Sequence, residues 1–252
     1  MISELIGKRL RGSLLGLGRV LARFGLTANV LTVVGLLLNV AVAVVIALGH
    51  PRWGGGLLLV ASAFDMLDGA VARATGTITR FGGFLDSTLD RYSEAVVFGG
   101  VLVYLLGTAD ADVGAVLVFV ATVGALLISY ARARAEAAGY TASVGLVARP
   151  ERVVLLALCL LIGRPLWALW VLAIATHLTA LTRIVHVWRL AERDGGEATP
   201  RPPAPAATPE PEPPAAAAEV AVAGRACLAI VVLALALLLL LCVGIVARWL
   251  LA

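Results

Sequence analysis

The sequence predicts an all-α polytopic membrane protein: a core of six transmembrane helices, preceded by an amphipathic interfacial helix and followed by one additional transmembrane helix. Three observations carry this reading. First, 61% of the 252 residues are hydrophobic and only 14% charged, with a mean hydropathy of +0.98, far less charge than a water-soluble surface needs. Second, the apolar residues fall in long blocks, at 30–48, 54–64, 95–106, 113–128, 153–162, 167–178 and 227–247. A helix needs about 20 residues to cross a hydrocarbon core of roughly 30 Å, so several blocks span only with their polar flanks, which must then face the bundle interior. Third, the basic residues segregate to one side of the resulting topology.

The elements follow in order. Residues 1–25 scatter Lys8, Arg9, Arg11, Arg19 and Arg23 among Leu14, Leu15, Leu17, Val20, Leu21 and Phe24. That is no compact basic start followed by an apolar core and a cleavage site. It reads as a helix lying on the membrane with its basic side toward anionic head groups, against the blander alternative of a solvated basic helix. Thr27, just before an apolar run, is the expected cap of the first spanning helix.

Residues 26–193 form the expected six-helix membrane domain, with spans near 29–49, 53–74, 85–107, 111–138, 150–166 and 167–189. Turns at 49–51, 108–110 and 163–165 lie on one side, which receives only His50, Arg52, Asp110, Asp112 and Arg164. The other side receives the basic N-terminal helix, the 73–80 connection, the 132–152 region and the 183–193 end. Lys and Arg favour the cytoplasm, which puts the N-terminus and this second side there, in the cell inner or plasma membrane.

Residues 194–224 carry eight prolines among Ala and Glu, a composition that cannot sustain a helix and reads as an extended linker. Residues 225–252 then supply the additional span. Cys159, Cys227 and Cys242 lie in apolar runs without ligand spacing and imply neither disulfides nor zinc. The net charge of +4 lacks a basic stripe with interleaved aromatics, so nucleic acid is not an expected partner.

The chemistry is concentrated in Asp65-Met66-Leu67-Asp68-Gly69-Ala70-Val71-Ala72-Arg73 and Asp86-Ser87-Thr88-Leu89-Asp90-Arg91. Asp65 and Asp68 are three apart, and Asp86 and Asp90 four apart, so each pair shares a helix face. The twelve residues 74–85 contain Gly76, Gly82 and Gly83, enough for the chain to reverse and bring the two acidic faces together. Converging carboxylates in a setting of low polarity repel one another, so protons or cations must offset them. Oxygen donors without Cys or His suit Mg²⁺ or Mn²⁺, and a pair of such ions can bind phosphate oxygens and stabilise a departing phosphate. Two other readings stay open on these residues alone: structural ion pairs with Arg73, Arg80 and Arg91, and an ion or lipid transport pathway.

These same residues spell Asp-x2-Asp-Gly-x2-Ala-Arg-x8-Gly-x3-Asp-x3-Asp, through Asp65, Asp68, Gly69, Ala72, Arg73, Gly82, Asp86 and Asp90. In this the sequence resembles the CDP-alcohol phosphotransferase family over about residues 26–190. The resemblance implies a six-helix core, often dimeric, with a cytoplasm-facing active site. It assigns two Mg²⁺ or Mn²⁺ ions to Asp65, Asp68 and Asp86, with Asp90 also within their reach. Asp90 is implied as the base beside the incoming alcohol. Asn29, Gly69, Arg73 and Gly82 are implied to hold the CDP-lipid, CDP-diacylglycerol or a relative of it. Ala28 stands where the family usually has proline, which weakens the helix start without touching the chemistry.

The expected reaction is attack of an acceptor hydroxyl on the lipid-bearing phosphorus with CMP as leaving group. Arg132, Arg134, Arg149 and Arg152 form a cluster suited to a phosphorylated acceptor, since an arginine rewards phosphate with strong, directional hydrogen bonds. Both arginine segments resemble those of actinobacterial phosphatidylinositol phosphate synthases, although Arg132 stands where those enzymes commonly carry Lys. Inositol 1-phosphate is therefore the expected acceptor and glycerol 3-phosphate the runner-up. The alternative for these arginines is a boundary marker or a contact with lipid head groups.

Overall fold

The computed structural model describes residues 16, 18–23, 27–76 and 79–193, and every regular element among them is helical. The helices are α1 (Ala28–Ala47), α2 (Pro51–Thr75), α3 (Arg80–Leu106), α4 (Ala111–Ala137), α5 (Arg149–Leu161) and α6 (Pro165–Arg193). Residues 16 and 18–23 add a short helical stretch before α1. The expected linker at 194–224 and the expected additional span at 225–252 lie outside the described residues, as does most of the expected interfacial helix at 1–25.

Four helices, α1, α2, α4 and α6, are long and apolar enough to cross a membrane, which makes the chain a polytopic membrane protein. The remaining two depart from the expected spans for identifiable reasons. Helix α3 has the length, with 27 residues, but the stretch from its start to Glu94 carries Arg80, Asp86, Asp90, Arg91 and Glu94. Helix α5 has 13 residues and reaches only about 20 Å, short of a hydrocarbon core of roughly 30 Å.

The boundaries need three corrections. The expected start of the third helix at 85 moves to Arg80, because the Thr79 hydroxyl accepts the Gly82 amide at 2.9 Å and caps a helix there. Gly82 and Gly83 thus sit in the first turn of α3 instead of before it. Gly76, at φ 69°, provides the left-handed residue that ends α2. The fifth helix stops at Leu161 and not 166, and the sixth starts at Pro165 and continues to Arg193. The Thr27 cap is present: its side chain accepts the Val30 amide at 3.4 Å.

The chain divides into two compact units at residues 104 and 105. In the first, α1 packs along α2 and also against α3, through a buried cluster of Val33, Leu36, Leu85 and Leu89 with Val40 at its edge. Small residues set the closeness. A Cβ on Gly100 would lie 2.5 Å from the Ala43 carbonyl oxygen, and one on Gly18 2.7 Å from that of Ala70. In the second unit α6 packs along α4 and, less extensively, α5. Gly124 of α4 leaves room for the Thr176 side chain, whose hydroxyl turns back to the Leu172 carbonyl at 2.7 Å.

Candidate active site

The first unit gathers α1, the C-terminal part of α2 and the start of α3 around one cavity of about 180 Å³. The sequence explains why these elements meet. The Asp-rich turn of α2 is followed within a few residues by the Gly76 reversal and the Thr79 cap, so α3 begins beside the helix it has just left. Asp68 and Asp86 line the cavity from α2 and α3, together with Arg73, Gly69 and Gly82, and Asn29 joins them from α1. All four residues expected to hold the CDP-lipid therefore border the same space as two of the four aspartates.

Glycines keep that space open. A Cβ at Gly69 would fall 3.1 Å from an Arg73 guanidinium nitrogen, so the arginine folds back over the missing side chain one turn earlier. At Gly82 a Cβ would meet the Thr79 hydroxyl at 2.9 Å and the Asn29 amide oxygen at 3.2 Å. Gly35 of α1 does the same for Asp65, whose carboxylate occupies the place a side chain at 35 would take, 2.5 Å from a built Cβ.

Asp68 is held from two helices. Its carboxylate accepts the Thr32 hydroxyl at 2.9 Å and the Gly69 amide, and the Thr32 proton is shared with the Ala28 carbonyl at 3.0 Å. The negative charges of Asp86 and Asp65 act on it across the site. Asp90 lies one turn beyond Asp86 and outside the cavity lining, with its carboxylate 3.5 Å from the neighbouring Arg91 guanidinium. All four aspartates are half-buried.

Whether such a site suits a divalent metal depends on its donors. They are hard carboxylate oxygens with no sulfur or imidazole among them, the set that Mg²⁺ and Mn²⁺ favour. Among the described residues no three of these groups close to joint ligating distance.

Thr32, Thr79, Ala28 and Gly83 border the cavity as well, and none was expected there. Thr32 follows Asn29 by three residues on α1, a same-face spacing that is the one signal the sequence offers for it. The expected acceptor arginines belong to the second unit. Arg132 and Arg134 stand near the C-terminal end of α4, where Arg132 donates to Glu136 at 2.8 Å. Arg149 opens α5 and is half-buried, and Arg152 is only 3% exposed.

With this geometry in view, comparison with known proteins is specific. The family model for CDP-alcohol phosphatidyltransferases matches residues 25–188. The archaetidylinositol phosphate synthase of Pyrococcus horikoshii is 36% identical over 169 residues, covering 67% of this chain and 87% of the relative. The phosphatidylinositol phosphate synthase of Corynebacterium glutamicum is 39% identical over 175 residues, covering 66% and 80%. Among solved structures, the Mycobacterium tuberculosis phosphatidylinositol phosphate synthase in complex with manganese and citrate superposes with a TM-score of 0.66 at 33% identity. The match covers 69% of this chain and 88% of that one, and the same enzyme with CDP-DAG bound matches equally well. The chain belongs to the CDP-alcohol phosphatidyltransferase family. It is a membrane-embedded transferase that moves a phosphatidyl group, related most evidently to the phosphatidylinositol and archaetidylinositol phosphate synthases.

Proposed function

We propose that this enzyme transfers the phosphatidyl group of CDP-diacylglycerol to inositol 1-phosphate and releases CMP. The observation that carries the donor half is the single cavity that collects Asn29, Gly69, Arg73 and Gly82 with Asp68 and Asp86. In this reading the glycines admit the nucleotide, Arg73 meets its phosphates, and Asp65, Asp68, Asp86 and Asp90 hold two Mg²⁺ or Mn²⁺ ions. Once bound, such ions polarise phosphoryl oxygens and offset the charge of the leaving group. Asp90 takes the proton of the acceptor hydroxyl. The deprotonated acceptor oxygen bonds to the lipid-bearing phosphorus, the bond from that phosphorus to the bridging pyrophosphate oxygen breaks, and CMP leaves with that oxygen.

The acceptor half rests on Arg132, Arg134, Arg149 and Arg152 as partners for the inositol phosphate, and on relatives named as synthases of archaetidylinositol phosphate and phosphatidylinositol phosphate. The test uses purified full-length protein in nanodiscs with Mg²⁺ or Mn²⁺ and CDP-diacylglycerol. CMP release should be fastest with inositol 1-phosphate, slower with glycerol 3-phosphate and slowest with free inositol. Preference for either of the latter, or no CMP from any acceptor, would overturn the assignment.

The wider architecture in this reading has six spans, with α3 and, together with its non-helical flanks, the short α5 crossing alongside the four apolar helices and their charges facing the protein interior. The N-terminus and active site face the cytoplasm, supported by the asymmetric distribution of Lys and Arg. The enzyme works as a homodimer in the inner or plasma membrane. Residues 1–25 lie at the interface, 26–193 form the catalytic domain, 194–224 a tether and 225–252 an anchor. Removal of residues 200–252 should therefore leave kcat per folded molecule within about twofold of the full chain, since no residue placed in the reaction is lost. A large fall in activity with α1–α6 still assembled would refute the tether.

A further inference from the structure

The acceptor arginines flank an 11-residue segment, 138–148, that has no regular structure, yet phosphate recognition needs them fixed. Backbone on the way into them is held from α6. Thr179 and Arg183 stand one turn apart there, Thr179 fully buried and Arg183 8% exposed. Buried polar groups of this kind must find partners, and here the partners are backbone atoms beside the arginines. The Thr179 hydroxyl donates to the Ala175 carbonyl at 2.8 Å and accepts the amides of Leu146 and Val147, both at 3.3 Å. Arg183 donates through Nε to the Val144 carbonyl at 2.9 Å and through a terminal nitrogen to the Ile128 carbonyl at 2.6 Å.

The register of these bonds matters. Ile128 is one turn ahead of Arg132 on α4. The amides of 146 and 147 are taken by Thr179, that of Ala148 by the Glu151 carboxylate at 2.7 Å, and the chain then enters α5 at Arg149. One face of α6 thus grips the backbone leading into both arginine pairs. Gly145 completes the fit, since a Cβ there would lie 2.5 Å from the Thr179 methyl carbon.

Resting on the acceptor reading above, we propose that Thr179, seated against Gly145 and backed by Arg183, is a positioning residue for acceptor recognition. It sets the entry of Arg149 and Arg152 relative to Arg132 and Arg134 without touching substrate. Directional hydrogen bonds to a phosphate are sensitive to shifts of about 1 Å, so loosening this latch acts on the acceptor and leaves the nucleotide cavity alone.

The decisive comparison is Thr179→Val, which keeps the shape and the methyl group but removes the acceptor oxygen, against Thr179→Ser, which restores it. In full-length protein, Thr179→Val should raise KM for inositol 1-phosphate about tenfold, the scale of a lost buried hydrogen-bond partner. KM for CDP-diacylglycerol should stay within twofold, and Thr179→Ser should behave like the unaltered protein. Amide hydrogen exchange should rise at Leu146 and Val147 but not in α1 or α2. Gly145→Ala presses on the latch from the other side and should give the same split, so it decides the matter if the valine variant does not fold. A parallel rise in both KM values, or faster exchange at 146 and 147 with an unchanged acceptor KM, overturns the positioning role. If Arg149→Gln with Arg152→Gln also leaves the inositol 1-phosphate KM unchanged, the acceptor reading itself has failed, which is a separate and visible result.

Discussion

Replacing Asp90 by Asn should slow CMP release by about 100- to 10,000-fold, the range associated with loss of a positioned general base. An alcohol is a weak nucleophile while it keeps its proton, and the amide of Asn cannot accept that proton. The substitution is nearly isosteric and keeps an oxygen that can accept from the neighbouring Arg91, which stands 3.5 Å from the Asp90 carboxylate. The burial of Leu89 beside it, at 2% exposure, keeps α3 in place irrespective of the charge at 90. Affinity for CDP-diacylglycerol should consequently remain near that of the unaltered protein while kcat collapses. Activity within threefold of normal would remove Asp90 from the role of base, and a loss of bound metal that matches the loss of activity would leave it only its place in the ion site.

Much of the fold is legible in the sequence because bilayer thickness constrains it so tightly. Apolar runs predict α1, α2, α4 and α6 to within a few residues, and the Thr27 cap is where side-chain chemistry requires one. The start of α3 is less legible for a particular reason. Gly82 and Gly83 read as loop formers, yet Gly82 follows a capping threonine by three residues, and its lack of a side chain serves the cavity instead of a turn. The end of α5 is obscured in a different way. Leu160, Leu161 and Ile162 continue the apolar pattern without a break, and only Gly163 with Pro165 stops it.

At the site, the aspartates, glycines and Arg73 are legible because their spacing is chemically demanding. Thr32 is not: a threonine in an apolar helix has many uses, and its bond to Asp68 spans 36 positions of sequence. The same holds for Thr179 and Arg183, whose partners are backbone atoms that leave no trace in residue identity. In sequence Arg183 reads only as one more basic residue near a helix end. The structure shows it buried and engaged with two separate stretches of backbone.

Stripping divalent cations should lower CMP release by at least about a hundredfold, since metal charge compensation is worth several kcal/mol and each 1.4 kcal/mol is a factor of ten. Mn²⁺ or Mg²⁺ should restore it, and Ca²⁺, with longer bonds and looser geometry, much less. Stability gives a second, independent reading of the same site. Asp68 feels the charges of both Asp86 and Asp65, so the metal-free protein holds mutually repelling carboxylates that a cation reconciles. A ligand bound only by the folded state stabilises it by about 2.7 kcal/mol at a hundredfold excess over Kd, which raises Tm measurably. Asp86→Asn should reverse both effects. Without metal it relieves repulsion and should match or exceed the thermal stability of the unaltered protein, and added Mn²⁺ should no longer raise its Tm. Activity should fall with the lost metal response. If Asp86→Asn instead unfolds the metal-free protein while keeping a full Mn²⁺-induced rise in Tm, Asp86 serves the fold through its helix contacts and the ions are held elsewhere.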